Sequence, residues 1–231
     1  MDVLSSSLLL GGSLLGLGFF TGLSGAMIPG PMLAFVISDT LKKGIMAGPL
    51  TVLGHISVEF CLILALILLG FEVMAGYIAH VGPVIYAIGG IALVMIALRV
   101  LKEARGAPAP RRPEEFGFGA GIGSTKRAYN GSIYGGVLFT AFNPSFIPWW
   151  VSIGYLLLLQ GFELLALTGV ILVSLGHFLS DLTWYSFVSY SFSRGRNFFV
   201  GNRYEVIMLV LALFVIALGL FFLSKGVLAL F

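Results

Sequence analysis

Charge is what this sequence has least of. Of its 231 residues, 10% are Asp, Glu, Lys or Arg and 58% are hydrophobic, whereas an average soluble domain carries about 25% charged residues. That balance excludes a soluble fold and places the chain in a membrane. Cysteine is almost absent. Cys61 stands alone, so neither an intrachain disulfide nor a dithiol redox pair is possible, which excludes membrane thiol-redox carriers. A formal net charge of +3 gives no reason to expect a nucleic-acid partner. No nucleophile–base pair, phosphate loop or hydrolase signature appears, and no cofactor is expected. Met1-Asp2-Val3 lacks the basic start of a secretory signal, so the first apolar run is expected to be retained as a span.

Long apolar runs are abundant instead. Six can be drawn, over 8–38, 45–70, 78–100, 129–158, 163–190 and 205–229, each at least the ~20 residues that a helix needs to cross a bilayer. Several exceed that minimum, which predicts tilt or breaks. The basic residues mark the connections. Lys42 and Lys43 follow the first run; Arg99, Lys102, Arg105, Arg111, Arg112, Lys126 and Arg127 follow the third; Arg194, Arg196 and Arg203 follow the fifth. Of thirteen basic residues only Lys225 falls on the other side. The positive-inside rule then makes the odd loops cytoplasmic and puts both termini outside. Glu72, His80 and Glu163 are expected in the outer loops.

Residues 102–128 are basic, then Pro-rich, then Gly-rich, and read as a mobile cytoplasmic linker. They divide one integral membrane domain into three-span halves, 1–101 and 129–231. Three is odd, so the second half enters from the opposite face. The expected fold class is an all-α membrane protein of six helices in two inverted repeats, the first helix of each half broken at proline.

The breaks are specific. Pro29-Gly30-Pro31 sits within the first run. Proline lacks an N–H and clashes with the carbonyl four residues back, so Pro29 is expected to free the carbonyl of Gly25, and Pro31 that of Met27. Freed groups in hydrocarbon need protein or a water-filled cavity to satisfy them, so a cavity is predicted beside the break. The N–H groups of Met32, Leu33 and Ala34 would open a new half-helix whose positive end suits an anion. Asn143-Pro144, followed by Pro148, forms the counterpart in the second half. Asn143 is able to cap the next half-helix or contact a substrate.

The middle run of each half carries the same string, Leu53-Gly54-His55-Ile56-Ser57-Val58-Glu59 and Leu175-Gly176-His177-Phe178-Leu179-Ser180-Asp181. Residues at i and i+4 lie ~40° apart on a helix, so each His shares a face with its acid. A charge at the bilayer centre costs at least ~2.5 kcal/mol, so such residues usually face an interior and work. Burial and pairing pull their ionisation in opposite ways, and either balance can place a proton site near neutral pH. Three readings stay open for His55, Glu59, His177 and Asp181: a proton or ion relay, a two-His, two-carboxylate metal site, or structural pairs that fix helix packing. Ser57 and Ser180 are expected to bond back to their own helices. Trp149, Trp150, Trp184 and Tyr185 read as belt or packing residues. Small residues every fourth place (Gly12 and Gly16; Gly18, Gly22 and Ala26; Gly131 and Gly135) read as close helix contacts and would allow a homodimer.

With these residues in view, the chain resembles the lysine-exporter (LysE-type) translocator family over nearly its whole length. The resemblance rests on Pro29-Gly30-Pro31 followed by an apolar stretch and Lys42-Lys43-Gly44, then on Asn143-Pro144, with six spans and a basic middle loop around them. It implies a secondary exporter of amino acids or similar small zwitterions in the inner or cell membrane, driven by an ion gradient, whose partners are its substrate and the lipid bilayer. Pro29, Gly30, Pro31, Met32, Asn143 and Pro144 would bind the substrate. Two departures stand out: Met32 occupies a place where the family often has Asn, and the Gly-His-x-x-x-acid string stands where the family's middle spans often have a small or acidic residue. The string keeps a divalent metal exporter open as an alternative, and a membrane-embedded metallohydrolase as a further one.

Overall fold

Pro29-Gly30-Pro31 divides two helices. In the computed structural model, which describes residues 3–69, 71–106, 122–143, 146–195, 198 and 202–230, α1 (Val3–Ala26) stops before it and α2 (Pro31–Lys43) begins on its last proline. Pro31 takes a first-turn position, where its missing N–H does no harm. Two details differ from expectation. The Gly25 carbonyl accepts from the Ile28 N–H at 3.1 Å, and the Ala34 N–H donates to the Gly30 carbonyl at 3.2 Å. The end of α1 thus tightens to satisfy the carbonyl that Pro29 would free, and Met32 and Leu33 remain at the open end of α2.

The second break is also present. Helix α5 (Ile122–Ala141) ends before Asn143, which is not helical, and α6 (Phe146–Trp149) starts beyond it. Pro144 lies outside the described residues. Helix α6 runs directly into a π-helical turn, Trp150–Gly154, and then into α7 (Tyr155–Arg194). Helix α7 is not straight. Leu165 and Ala166 have non-helical dihedrals, Ala166 with φ 49°. Gly161 and Gly169, on either side, are in backbone contact, whereas eight residues of straight helix would separate them by ~12 Å. The chain therefore folds back at 165–166.

Helices α3 (Ala47–Leu69), α4 (Phe71–Gly106) and α8 (Asn202–Leu230) complete the set. Among the described residues five helices are long and apolar enough to cross a membrane. The fourth expected span is divided among α5, α6, the π turn and the first limb of α7, because the second break interrupts it. Helix α4 is longer than the run that predicted it. His80 and Glu72, expected in a loop, lie on its backbone, as do residues 102–106 of the expected linker. Residues 122–128 belong to α5, and 107–121 lie outside the described residues.

Three long pairings build the body: α1 along α7, α3 along α5, and α4 along α8. Glycines permit the first two. A Cβ on Gly18 would run into the Val173 backbone, and one on Gly54 into that of Ile133, so the small-residue spacing works as packing there. Gly12 and Gly16 meet no described neighbour. The short helix α2 sits inside, touching α3, α5, α7 and α8. Its Met32 and Val36 join Val52, Leu93, Phe139, Tyr185 and Phe222 in the main core. Outward, Phe20, Leu68, Leu156, Phe187 and Leu228 are exposed. Such surface costs about 25 cal/mol per Å² against water and nothing comparable against lipid tails.

Candidate functional site

The two repeated strings face each other. Helix α3 brings His55 and Glu59 to one side, and α7 brings His177 and Asp181 to the other. The i,i+4 pairs expected within each helix merge into one cluster. Glu59 Oε1 lies 3.2 Å from Nε2 of His55 and 3.0 Å from Nε2 of His177. Asp181 Oδ2 lies 3.6 Å and 3.5 Å from the same two nitrogens. The tightest contact thus joins the two halves of the chain. Glu59 is 2% exposed and Asp181 3%.

Other side chains fix these four. Trp150 Nε1–H donates to Glu59 Oε1 at 3.1 Å. Trp149 lies over His177, with ring centroids 5.0 Å apart at 31°. His55 Nδ1 and Thr140 Oγ1 are 2.7 Å apart, and the Thr140 hydroxyl donates to the Gly136 carbonyl at 2.7 Å. Thr140 has one proton to give. With that proton on Gly136, His55 Nδ1 is the donor to Thr140. Ser57 and Ser180 bond back to the carbonyls of Gly54 and His177, as expected, and take no part in the cluster.

The cluster lines a cavity of about 350 Å³, within the ~300–1,000 Å³ of small-molecule sites. Pro29, Gly30, Pro31, Met32 and Asn143 line the same cavity. The break, the second break and the repeated strings, far apart in sequence, are brought together here; Pro144 is not described. Sequence reasoning missed Thr140, Trp149, Trp150 and Tyr185, which also line it. Two adjacent tryptophans just past a helix break were the available signal. The aromatic residues of this group read as belt or packing residues in the sequence, and Trp150 and Tyr185 do pack in buried clusters as well.

A further buried acid was missed. Asp39, 4% exposed, sits on α2 beyond the drawn end of the first run. Lys43 pairs with it at 2.7 Å, and Ser132 of α5 donates to it at 2.6 Å. Next to it, Thr40 bonds Ser189 of α7 at 2.7 Å, and Ser189 accepts from the Gly48 N–H at 2.8 Å. The far end of α2 is therefore tied by polar contacts to α5 and α7, and through Ser189 to α3, while its near end opens on the cavity.

The family described as LysE type translocator matches residues 23–226, a span that includes both breaks and both strings. No curated protein and no solved structure matches the chain.

Proposed function

Because the chain belongs to the LysE type translocator family, and is thereby a membrane translocator, we propose that it exports amino acids or similar small zwitterions through this cavity, coupled to an ion gradient. The observation that carries the reading is the convergence of opposite polar groups on one cavity. The open N-terminal end of α2 at Met32 and Leu33 suits a carboxylate, and Glu59 and Asp181 suit an ammonium or a coupling proton. Both line the same space, beside broken helices of the kind that form transporter sites. Asn143 stands by the second break as a further substrate contact. His55 and His177 tune the acids and relay the proton.

Two inverted three-helix halves are the architecture that accounts for the pairings. The first helix of each half lies along the middle helix of the other, and the third helices lie along each other. The contacts exchange in kind: Gly18 meets Val173 while Gly136 meets Thr51, and Gly176 meets Leu15 while Gly54 meets Ile133. In the cell membrane, the ends of α2 and α7, carrying Lys43 and Arg194, would face the cytoplasm.

The test is efflux from proteoliposomes loaded with mixed amino acids, with and without an imposed pH gradient. Selective, gradient-sensitive loss of one amino-acid class is expected. Retention of every amino acid by folded protein would overturn the reading. Glu59→Gln and Asp181→Asn are each expected to abolish efflux with expression intact; unaltered efflux would remove the relay role.

A further inference from the structure

We propose that His55, Glu59, His177 and Asp181 together bind one divalent first-row transition ion, of the class that imidazole and carboxylate ligands favour: zinc, manganese or nickel. The inference concerns binding by the resting protein; the four groups are those that the export reading gives to the coupling proton, so ion and proton would exclude each other there.

Spacing is the first argument. Around the cluster nitrogen and oxygen alternate, and the four N···O separations run from 3.0 to 3.6 Å. Bonds of ~2.0–2.2 Å at the angles of a tetrahedral or square site put neighbouring ligand atoms roughly 2.8–3.6 Å apart. The ligand atoms of His55, Glu59 and Asp181 lie within 4.8 Å of one another; His177 Nε2, 3.0 Å from Glu59 Oε1 and 3.5 Å from Asp181 Oδ2, stands outside that group and would join it by moving towards His55. Small movements of side chains would let all four reach one ion.

The second argument is the proton on His55. Its Nδ1 donates to Thr140, whose own hydroxyl is committed to Gly136. In a neutral ring this puts a lone pair on Nε2, aimed at two carboxylate oxygens. Three acceptors then face one another with only His177 Nε2 and the Trp150 indole beside them as donors, both bonded to Glu59, and Asp181 Oδ2, buried with its residue 3% exposed, has no hydrogen-bond partner among the described residues. A cation turns that repulsion into coordination. Metal-bound histidines usually donate their other ring nitrogen to such a partner, and liganding carboxylates are themselves hydrogen-bonded. Thr140 and Trp150 supply those two contacts.

The third argument is charge. Two ionised carboxylates and two neutral imidazoles carry a charge of about −2, which is unfavourable in the membrane interior. One divalent ion cancels it. The rival arrangement cancels it with two protons on the histidines, and binds no metal.

The experiment is a titration of the full chain, purified in detergent and stripped with EDTA, with zinc chloride, followed by elemental analysis after gel filtration. The visible spectrum of the cobalt(II) form reports the ligands. About one zinc per chain is expected, with cobalt bands of a histidine-containing site and a rise in melting temperature. Asp181→Asn should reduce binding to background. If that variant fails to fold, Thr140→Val serves instead: it keeps all four ligands and should weaken binding about 10- to 100-fold. Protein that is folded by circular dichroism yet retains no zinc above background overturns the proposal. So does stoichiometric zinc whose affinity is unchanged in both variants. Neither result touches the export reading, which the efflux assay decides.

Discussion

At the scale of the residue, the two histidines are treated differently although their strings match. His55 Nδ1 has Thr140 as partner. His177 Nδ1 faces Gly22, where a Cβ would collide with the ring nitrogen and with Ser180 Oγ. Gly22→Ala is therefore expected to displace His177 and lower efflux at least tenfold at equal protein density, an effect that initial-rate measurements in proteoliposomes would reveal. The cluster also depends on its indole donor. Trp150→Phe keeps the ring bulk but removes the hydrogen bond to Glu59. Bonds to charged groups contribute about 1.5–3 kcal/mol, so a loss of roughly ten- to hundredfold in efflux rate is expected. A wild-type rate would show that Glu59 needs no such support. The i,i+4 spacing made each His–acid pair legible in the sequence. Their merger was not, because a string says which side of its helix is polar and nothing about which helix lies opposite.

At the scale of the element, both helix breaks followed from backbone chemistry. Proline's missing N–H and fixed φ are properties of the chain itself, so Pro29-Gly30-Pro31 ended one helix and began another wherever it was placed. Pro29→Ala combined with Pro31→Ala is expected to join α1 and α2 and abolish efflux; retained efflux would reduce the break to a kink. The turn at 165–166 had no such signal. Ala166 holds φ 49°, a conformation that costs a residue with a Cβ of order 1–3 kcal/mol and persists only where the surroundings impose it. Close packing of Gly161 on Gly169 imposes it here. Ala166→Gly should relieve the strain and stabilise the protein by about 1 kcal/mol, seen as a higher melting temperature in detergent. A lower one would mean that the Ala166 methyl group contributes more than its strain costs. Asp39 belongs to this scale too: the first run was drawn to end at Ser38, so an acid that α2 buries fell outside the spans.

At the scale of the whole molecule, the translocator is an envelope of long helices around a short one. The buried half-helix α2 is anchored at one end by Asp39, Lys43, Thr40 and Ser189 and open at the other. That asymmetry gives the cavity one fixed wall. The orientation of the envelope has its own check. If both termini lie outside, as the basic loops predict, alkaline phosphatase fused after Phe231 should be active and green fluorescent protein at the same place dark. The opposite pattern would reverse the assignment made from Lys42, Lys43 and Arg194.

The sequence by itself determined the membrane class, the breaks and the polar strings. Each depends on local properties: transfer free energy per residue, the proline ring, and helical spacing. Only the tertiary structure decided that both breaks and both strings share one cavity. It also decided that Thr140, Trp149 and Trp150 belong to it, and that the fourth apolar run is divided among several helices. Those outcomes depend on which helices pair. That is set by contacts such as Gly18 on Val173 and Gly54 on Ile133, made between residues far apart in the chain, which no local pattern records.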